Sequence, residues 1–200
     1  MGMTAARKLK TTAHPYDLIS PEVYLATEID SPVKREYYQG HVYAMTGAIN
    51  QHNRIAGNVY STLDRLLRDH PCVPINSDTK IRIREGRGFR FYYPDAGVVC
   101  EENPRTDHFQ DKPTLVVEVL SASTRRVDES EKRLGYQSIP SLQSYLLVHQ
   151  DQPAVVHYRR TKSGFRAAII QGLDEEVAIP ALSISIPLAE IYRRISFAAE

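Results

Sequence analysis

Two hundred residues, 42% of them hydrophobic and 24% charged, have the composition of a globular chain with enough apolar material for a sizeable core. Wholesale disorder, collagen-like repeats and low complexity are excluded, and no apolar run approaches the ~20 residues that cross a bilayer. A formal net charge of +1 supplies no global field, so a polyanion would have to be held by a local patch.

In chain order, the N-terminus carries Arg7, Lys8 and Lys10 but no apolar stretch follows, so it is not a secretory signal. Ala6 stands where a myristoylation motif after Met1-Gly2 needs Ser or Thr. Residues 1–15 read as a loose tail, 16–200 as one domain, and the chain as cytoplasmic with no membrane partner. Cys72 and Cys100 then read as two buried thiols. Ser20 followed by Pro21 starts a short helix, because proline suits the first helical position. Residues 35–45 read as a hairpin around Gln39-Gly40.

The clearest helix spans 51–69. Ile55, Val59, Leu63, Leu66 and Leu67 share one face of a 3.6-residue period, with Asn50 as a cap and Pro71 as a stop. From Val73 the period falls to two. Lys80, Arg82 and Arg84 alternate with Ile81 and Ile83, Gly86-Arg87-Gly88 turns the chain, and 89–93 returns it. With Arg90 this hairpin holds five basic residues against Asp78 and Glu85. It reads either as a clamp on a phosphate backbone or as an ordinary solvated strand pair.

A strand at 97–100 and a polar loop at 101–113 precede a continuous apolar run, 115–120, of the kind found in strands buried on both faces. A charged helix at 121–137, with Ser123 as candidate cap, follows. Strands at 145–148, 154–158 and 165–170 and a short final helix near 192 complete a mixed α/β or α+β domain with a central sheet.

The chemistry concentrates around that apolar run. Glu118 is its single charge, and an ionised carboxylate there needs a partner: an internal Arg or Lys, or a metal. Asp95 follows Pro94 and opens the next strand, or else marks only a turn. Two carboxylates on adjacent strands repel each other unless a divalent cation joins them. Asp128 and Lys132, four residues apart, share a helix face that either is solvated or points the lysine back at the carboxylates.

Pro94-Asp95, then residues 117–121 (VEVLS) with Ser123-Thr124, Asp128, Glu131-Lys132 and Tyr136, resemble the Uma2 family of restriction-endonuclease-like proteins, within the PD-(D/E)xK nuclease superfamily. Glu36 with the following GHVYAM, His52 and Ser77-Asp78 extend the resemblance over residues 20–192. It implies a restriction-endonuclease-like core: a central mixed sheet flanked by helices, with an N-terminal hairpin. It implies Asp95 and Glu118 as metal ligands, the Val119 carbonyl as a third, and Mg²⁺ or Mn²⁺ as the metal. Lys132 would position the nucleophile or steady developing charge, although the textual motif would put lysine where Leu120 stands. Glu36 would be an additional acid, and His52, Asp128 and Tyr136 would support the site. Ala122 departs from the family's usual proline, and 146–149 (LLVH) lacks its usual Trp and Asp.

The function so implied is metal-assisted hydrolysis of DNA phosphodiester bonds, with Lys80, Arg82, Arg84, Arg87 and Arg90 touching the backbone and a twofold homodimer cutting both strands. Alternatives are a non-catalytic nucleic-acid-binding or assembly protein on the same fold, a hydrolase of RNA, or a fold in which Glu118 is only a buried ion pair.

Overall fold

The computed structural model describes residues 18–197 apart from Thr46, Arg87 and Ser123. The expected tail, the Arg87 tip and the Ser123 cap therefore lie outside the described residues.

Local sequence chemistry accounts for the first elements. Helix α1 (Pro21–Glu28) begins where the Ser20 hydroxyl accepts a hydrogen bond from the Val23 N–H, with proline at the first helical position. Strands β1 (Arg35–Tyr38) and β2 (His41–Ala44) join through Gln39 and Gly40, both at positive φ, the two-residue turn whose twist matches a hairpin. Helix α2 (Asn50–Leu66) buries Ile55, Val59 and Leu63 along the expected stripe. Asn50 is its first residue rather than its cap: Ile49 occupies the cap position, and no side chain closes that end.

The next strands are β3 (Val73–Asn76), β4 (Lys80–Glu85), β5 (Gly88–Tyr92), β6 (Ala96–Val99), β7 (Phe109–Gln110) and β8 (Pro113–Leu120). The segment expected as a bare polar loop contains β7, which pairs in parallel with Lys80 and Ile81 of β4. The helix after β8 is not a uniform α-helix. It runs as α3 (Arg125–Val127), a π-helical turn over Asp128–Lys132, and α4 (Arg133–Gln137). Strands β9 (Ser144–His149), β10 (Ala154–Thr161), β11 (Gly164–Gln171), β12 (Glu176–Ile179) and β13 (Ile184–Pro187), then α5 (Leu188–Ile191), complete the chain.

A six-stranded mixed sheet, β11-β10-β9-β8-β6-β3, forms the centre. Its middle strand β8 pairs antiparallel with β6 and parallel with β9, and all eight of its residues are buried. A parallel pair needs a crossover, and the α3–α4 helix supplies it. Side chains of β8 alternate. Leu115, Val117 and Val119 pack with α2 and α5, whereas Val116 and Leu120 pack with Tyr136, Tyr145 and the β4–β5 hairpin. Glu118 has the parity of Val116 and Leu120, so it faces the crossover helix. A five-stranded sheet, β2-β1-β5-β4-β7, carries the N-terminal hairpin, and Tyr24, Tyr37 and Phe91 fill the space beneath α1.

Cys72 and Cys100, expected as free thiols, are joined by a disulfide. They flank the β3–β6 pair, in which Val73 lies opposite Val99. Cross-strand register, invisible in two cysteines 28 residues apart, brings them together. No described helix is long and apolar enough to cross a membrane.

Gly97 shows how tightly β6 is held. A Cβ there would lie 2.7 Å from the Leu115 carbonyl oxygen and 3.2 Å from Ile75. Gly97→Ala must push β6 away from β8, and we expect a loss of about 1–3 kcal/mol, read by urea unfolding.

Candidate active site

The site forms where β8 outruns its neighbour. Strand β6 begins at Ala96, opposite Val117, so the backbone of Val119 lies beyond that ladder. Asp95 and His52 take up what the ladder leaves. The Val119 N–H donates to Asp95 Oδ2 at 2.7 Å, and His52 Nε2 lies 3.0 Å from the Val119 carbonyl oxygen and 3.3 Å from Asp95 Oδ2. Nε2 faces two acceptors while Nδ1 is buried without a hydrogen-bond partner, so Nε2 carries the hydrogen. Burial alone would lower the His52 pKa. The hydrogen bond and charge of Asp95, with the Val119 carbonyl and Asp128, outweigh burial and raise it. His52, expected as a candidate supporting residue, is thus in the first turn of α2 and against the acidic pair.

On the other side of β8, Lys132 Nζ sits among three carboxylates. It is 2.9 Å from Glu36 Oε1, 3.3 Å from Glu118 Oε1 and 3.6 Å from Asp128 Oδ1. Tyr136 OH donates to Glu118 Oε1 at 3.2 Å. Asp128, Lys132 and Tyr136 are all buried although they span two full turns. A regular α-helix would carry the third about 80° around the axis from the first. The wide turn over 128–132 shortens that drift and keeps all three on the sheet. Tyr145 OH also donates to the Asp128 carbonyl, at 3.0 Å, from β9.

Four carboxylates, Glu36, Asp95, Glu118 and Asp128, therefore face one ammonium and one imidazole. Burial pushes Glu118 well above the ordinary carboxylate range; Lys132 pulls it back, while Asp128, Asp95 and Glu36 push it further. Burial would drag Lys132 down, but Glu118, Glu36 and Asp128 overcome it and hold the ammonium charged. Asp128 is raised by burial, partly offset by Lys132. The two readings of Glu118, ion pair and site residue, are not exclusive, because it is ion-paired inside a cleft.

That cleft has a volume of about 700 Å³ and is walled by Asp95, Glu118, Lys132 and His52. Tyr93 and Gln150 also line it, and neither was singled out in the sequence. The Tyr93 N–H donates to Glu36 Oε1 at 3.3 Å. Adjacency to Pro94-Asp95 was the available signal for Tyr93. Gln150, whose Oε1 is buried and unpartnered, had none.

The donor set fits a hard divalent cation. It is made of oxygens, it carries excess negative charge, and Asp128 Oδ1 is buried without a hydrogen-bond donor. Among the described residues no three His, Cys, Asp or Glu side chains close into a cage of their own. An open set of this kind suits Mg²⁺, which keeps waters and substrate oxygens in its shell. The Val119 carbonyl, implied as a third ligand, already serves His52.

The basic hairpin is distributed differently from the expected strip. Lys80 is buried and donates to Tyr93 OH at 2.9 Å. Arg82 is bidentate to Asp111 at 2.7 and 2.8 Å. Arg90 lies opposite Ile83, on the face away from Arg82, and pairs with Glu85. Arg84 remains exposed over the Phe89 ring. Alternation predicted the strand but not the Asp111 carboxylate just after β7 or the Tyr93 phenol that meet it, whereas Glu85 belongs to the hairpin itself.

A mixed sheet whose central strand and its antiparallel neighbour bring two carboxylates to one end, with a crossover helix delivering a lysine to the same point, is a restriction-endonuclease-like core. Residues 21–189 match the Uma2 family, described as "Putative restriction endonuclease", and the chain belongs to that family. It is 32% identical to "Uncharacterized protein slr1290" of Synechocystis sp. over 92% of this chain and 96% of that one. It is 34% identical to "Uncharacterized protein sll1609" of the same organism, over 72% and 81% respectively. Among solved structures it is similar, with a TM-score of 0.70 and 15% identity, to one described as "a putative nuclease belonging to DUF820" from Anabaena variabilis ATCC 29413. That likeness covers 86% of this chain and 97% of the other, and shows a shared fold.

Proposed function

We propose that this protein is a metal-dependent endonuclease that hydrolyses DNA phosphodiester bonds. The observation that carries the reading is the convergence of Asp95, Glu118 and Lys132 in one open cleft, with more carboxylates than the local cations neutralise. Family membership agrees with it.

Asp95 and Glu118 would hold Mg²⁺ or Mn²⁺, which supplies Lewis-acid polarisation of a phosphate oxygen. The chain's own groups do the rest. Tyr136 and Lys132 fix one oxygen of Glu118 and leave the other for a ligand. Glu36 anchors Lys132 so that the ammonium stays at the cleft wall, where it orients the attacking water or steadies charge as it develops. His52 pins Asp95 and the end of β8 together. Among the described residues of the hairpin, Arg84 is best placed to touch a backbone phosphate, since Arg82 and Arg90 have carboxylate partners and Lys80 is buried.

The test is cleavage of supercoiled and single-stranded DNA, and of RNA, with Mg²⁺ or Mn²⁺. We expect DNA cleavage by the parent, its abolition by EDTA, and its loss in Asp95→Asn. An amide at 95 can still accept the Val119 N–H, so that variant should fold. No cleavage of any substrate with either metal would replace the catalytic reading by a nucleic-acid-binding or assembly role.

A further inference from the structure

We infer that strand β11 is the dimer interface of this protein, pairing antiparallel with β11 of a second copy. The inference is independent of the chemistry in the cleft.

Strand β11 is the outer strand of the six-stranded sheet, bonded to β10 on one side only. Its ladder with β10 runs from Ala154↔Gln171 to Thr161↔Gly164 without a register shift. Proteins protect such edges with proline, bulges, lysine or short length. The other edges among the described residues follow that rule. Strand β3 has four residues and Pro74, β2 has four residues, and β7 has two. Strand β11 has eight residues, GFRAAIIQ, with no proline, no bulge and a single charge. The middle of its exposed surface is apolar: Ala167, Ala168 and Ile169 are exposed, Ile169 to 72%, and Leu173, just beyond the strand, is 47% exposed. An edge this long and regular, with an apolar middle, is what strand addition needs.

Charge distribution selects the partner. The N-terminal end of the edge carries Lys162 and Arg166; the turn after its C-terminal end carries Asp174 and Glu175, and Glu176 opens β12 directly after it. All five are exposed, and none has an ion-pair partner among the described residues. An antiparallel twofold lays the basic end of one copy along the acidic end of the other, twice, and brings the two Ile169 side chains near the axis. A parallel pairing would oppose like charges. The surface is therefore complementary to itself, as an isologous interface requires.

Light scattering behind size exclusion, on the full chain at micromolar concentration, should read twice the 22.7 kDa of one chain. Arg166→Glu alone, and Asp174→Lys with Glu175→Lys alone, should each read as monomer, because like charges then meet. Mixed in equal amounts, the two variants should form a heterodimer, which no folding defect would produce. Ile169→Lys, at a site with no core contact to lose, should also be monomeric. A monomeric parent, or a dimer that survives all three changes, overturns the inference. So does a parent that dimerises only after residues 1–17 are removed, which would mean that its own N-terminal segment covers the edge.

Discussion

Lys132→Met is expected to lose about 3–5 kcal/mol of stability at neutral pH, because removing one partner leaves buried charge uncompensated. Methionine fits the aliphatic part of the space beside the Tyr92 ring, which lies 5.5 Å from the ammonium, so lost packing is small. Glu36, Glu118 and Asp128 are then left together without their cation. The pH dependence identifies the cause. Burial already raises Glu118 above its ordinary value of 4.5, and the influence lowering it is Lys132. With that gone, the folded variant binds protons that the unfolded chain releases. A carboxyl raised in the folded state contributes stability at low pH that is lost as pH rises from about 4.5 through the higher folded value. The variant should thus approach the parent in acid and fall away from it above. Melting both from pH 5 to pH 8 in EDTA measures this, and a gap that does not depend on pH would mean lost packing instead. Cleavage should drop by about 10²–10³ or more, the usual cost of removing one group that stabilises developing charge.

Glu118→Gln should separate activity from stability in the opposite sense. The amide keeps an acceptor for Tyr136 OH, now 3.2 Å from Glu118 Oε1, and for Lys132. Lys132 retains Glu36 and Asp128, so no buried cation is orphaned. What disappears is a desolvated carboxylate that three others repel. We expect a melting temperature equal to or above the parent's at pH 8, where the carboxylate is costliest. We also expect loss of metal binding by calorimetry and a fall in cleavage of roughly a thousandfold. A variant that melts well below the parent would make Glu118 a structural ion-pair member. One that keeps cleaving would remove it from the reaction. Together the two substitutions test a single claim, that the cleft holds more negative charge than the fold by itself needs.

Much of the site was legible because its residues break local patterns. Glu118 is one charge in an apolar run, and Asp95 follows a proline between strands. Lys132 was less legible. On a charged helix it looks like solvated surface; in the structure the wide turn over 128–132 keeps it on the sheet with Asp128 and Tyr136. Val119 was implied as a third ligand; its carbonyl also meets His52, because β6 starts too late to pair with it.

Elements that depend on near neighbours could be read from the residues alone. The α2 stripe, the Gln39-Gly40 turn, the Ser20-Pro21 helix start and the doubly buried β8 all follow from side-chain period and backbone preference within about one element. Tertiary structure alone decided that Asp111 meets Arg82, that Lys80 is buried, that Cys72 meets Cys100, and that β11 is left as an open edge. Each of these depends on which strands become neighbours. That choice is made by the burial of whole faces, so no window of sequence contains it.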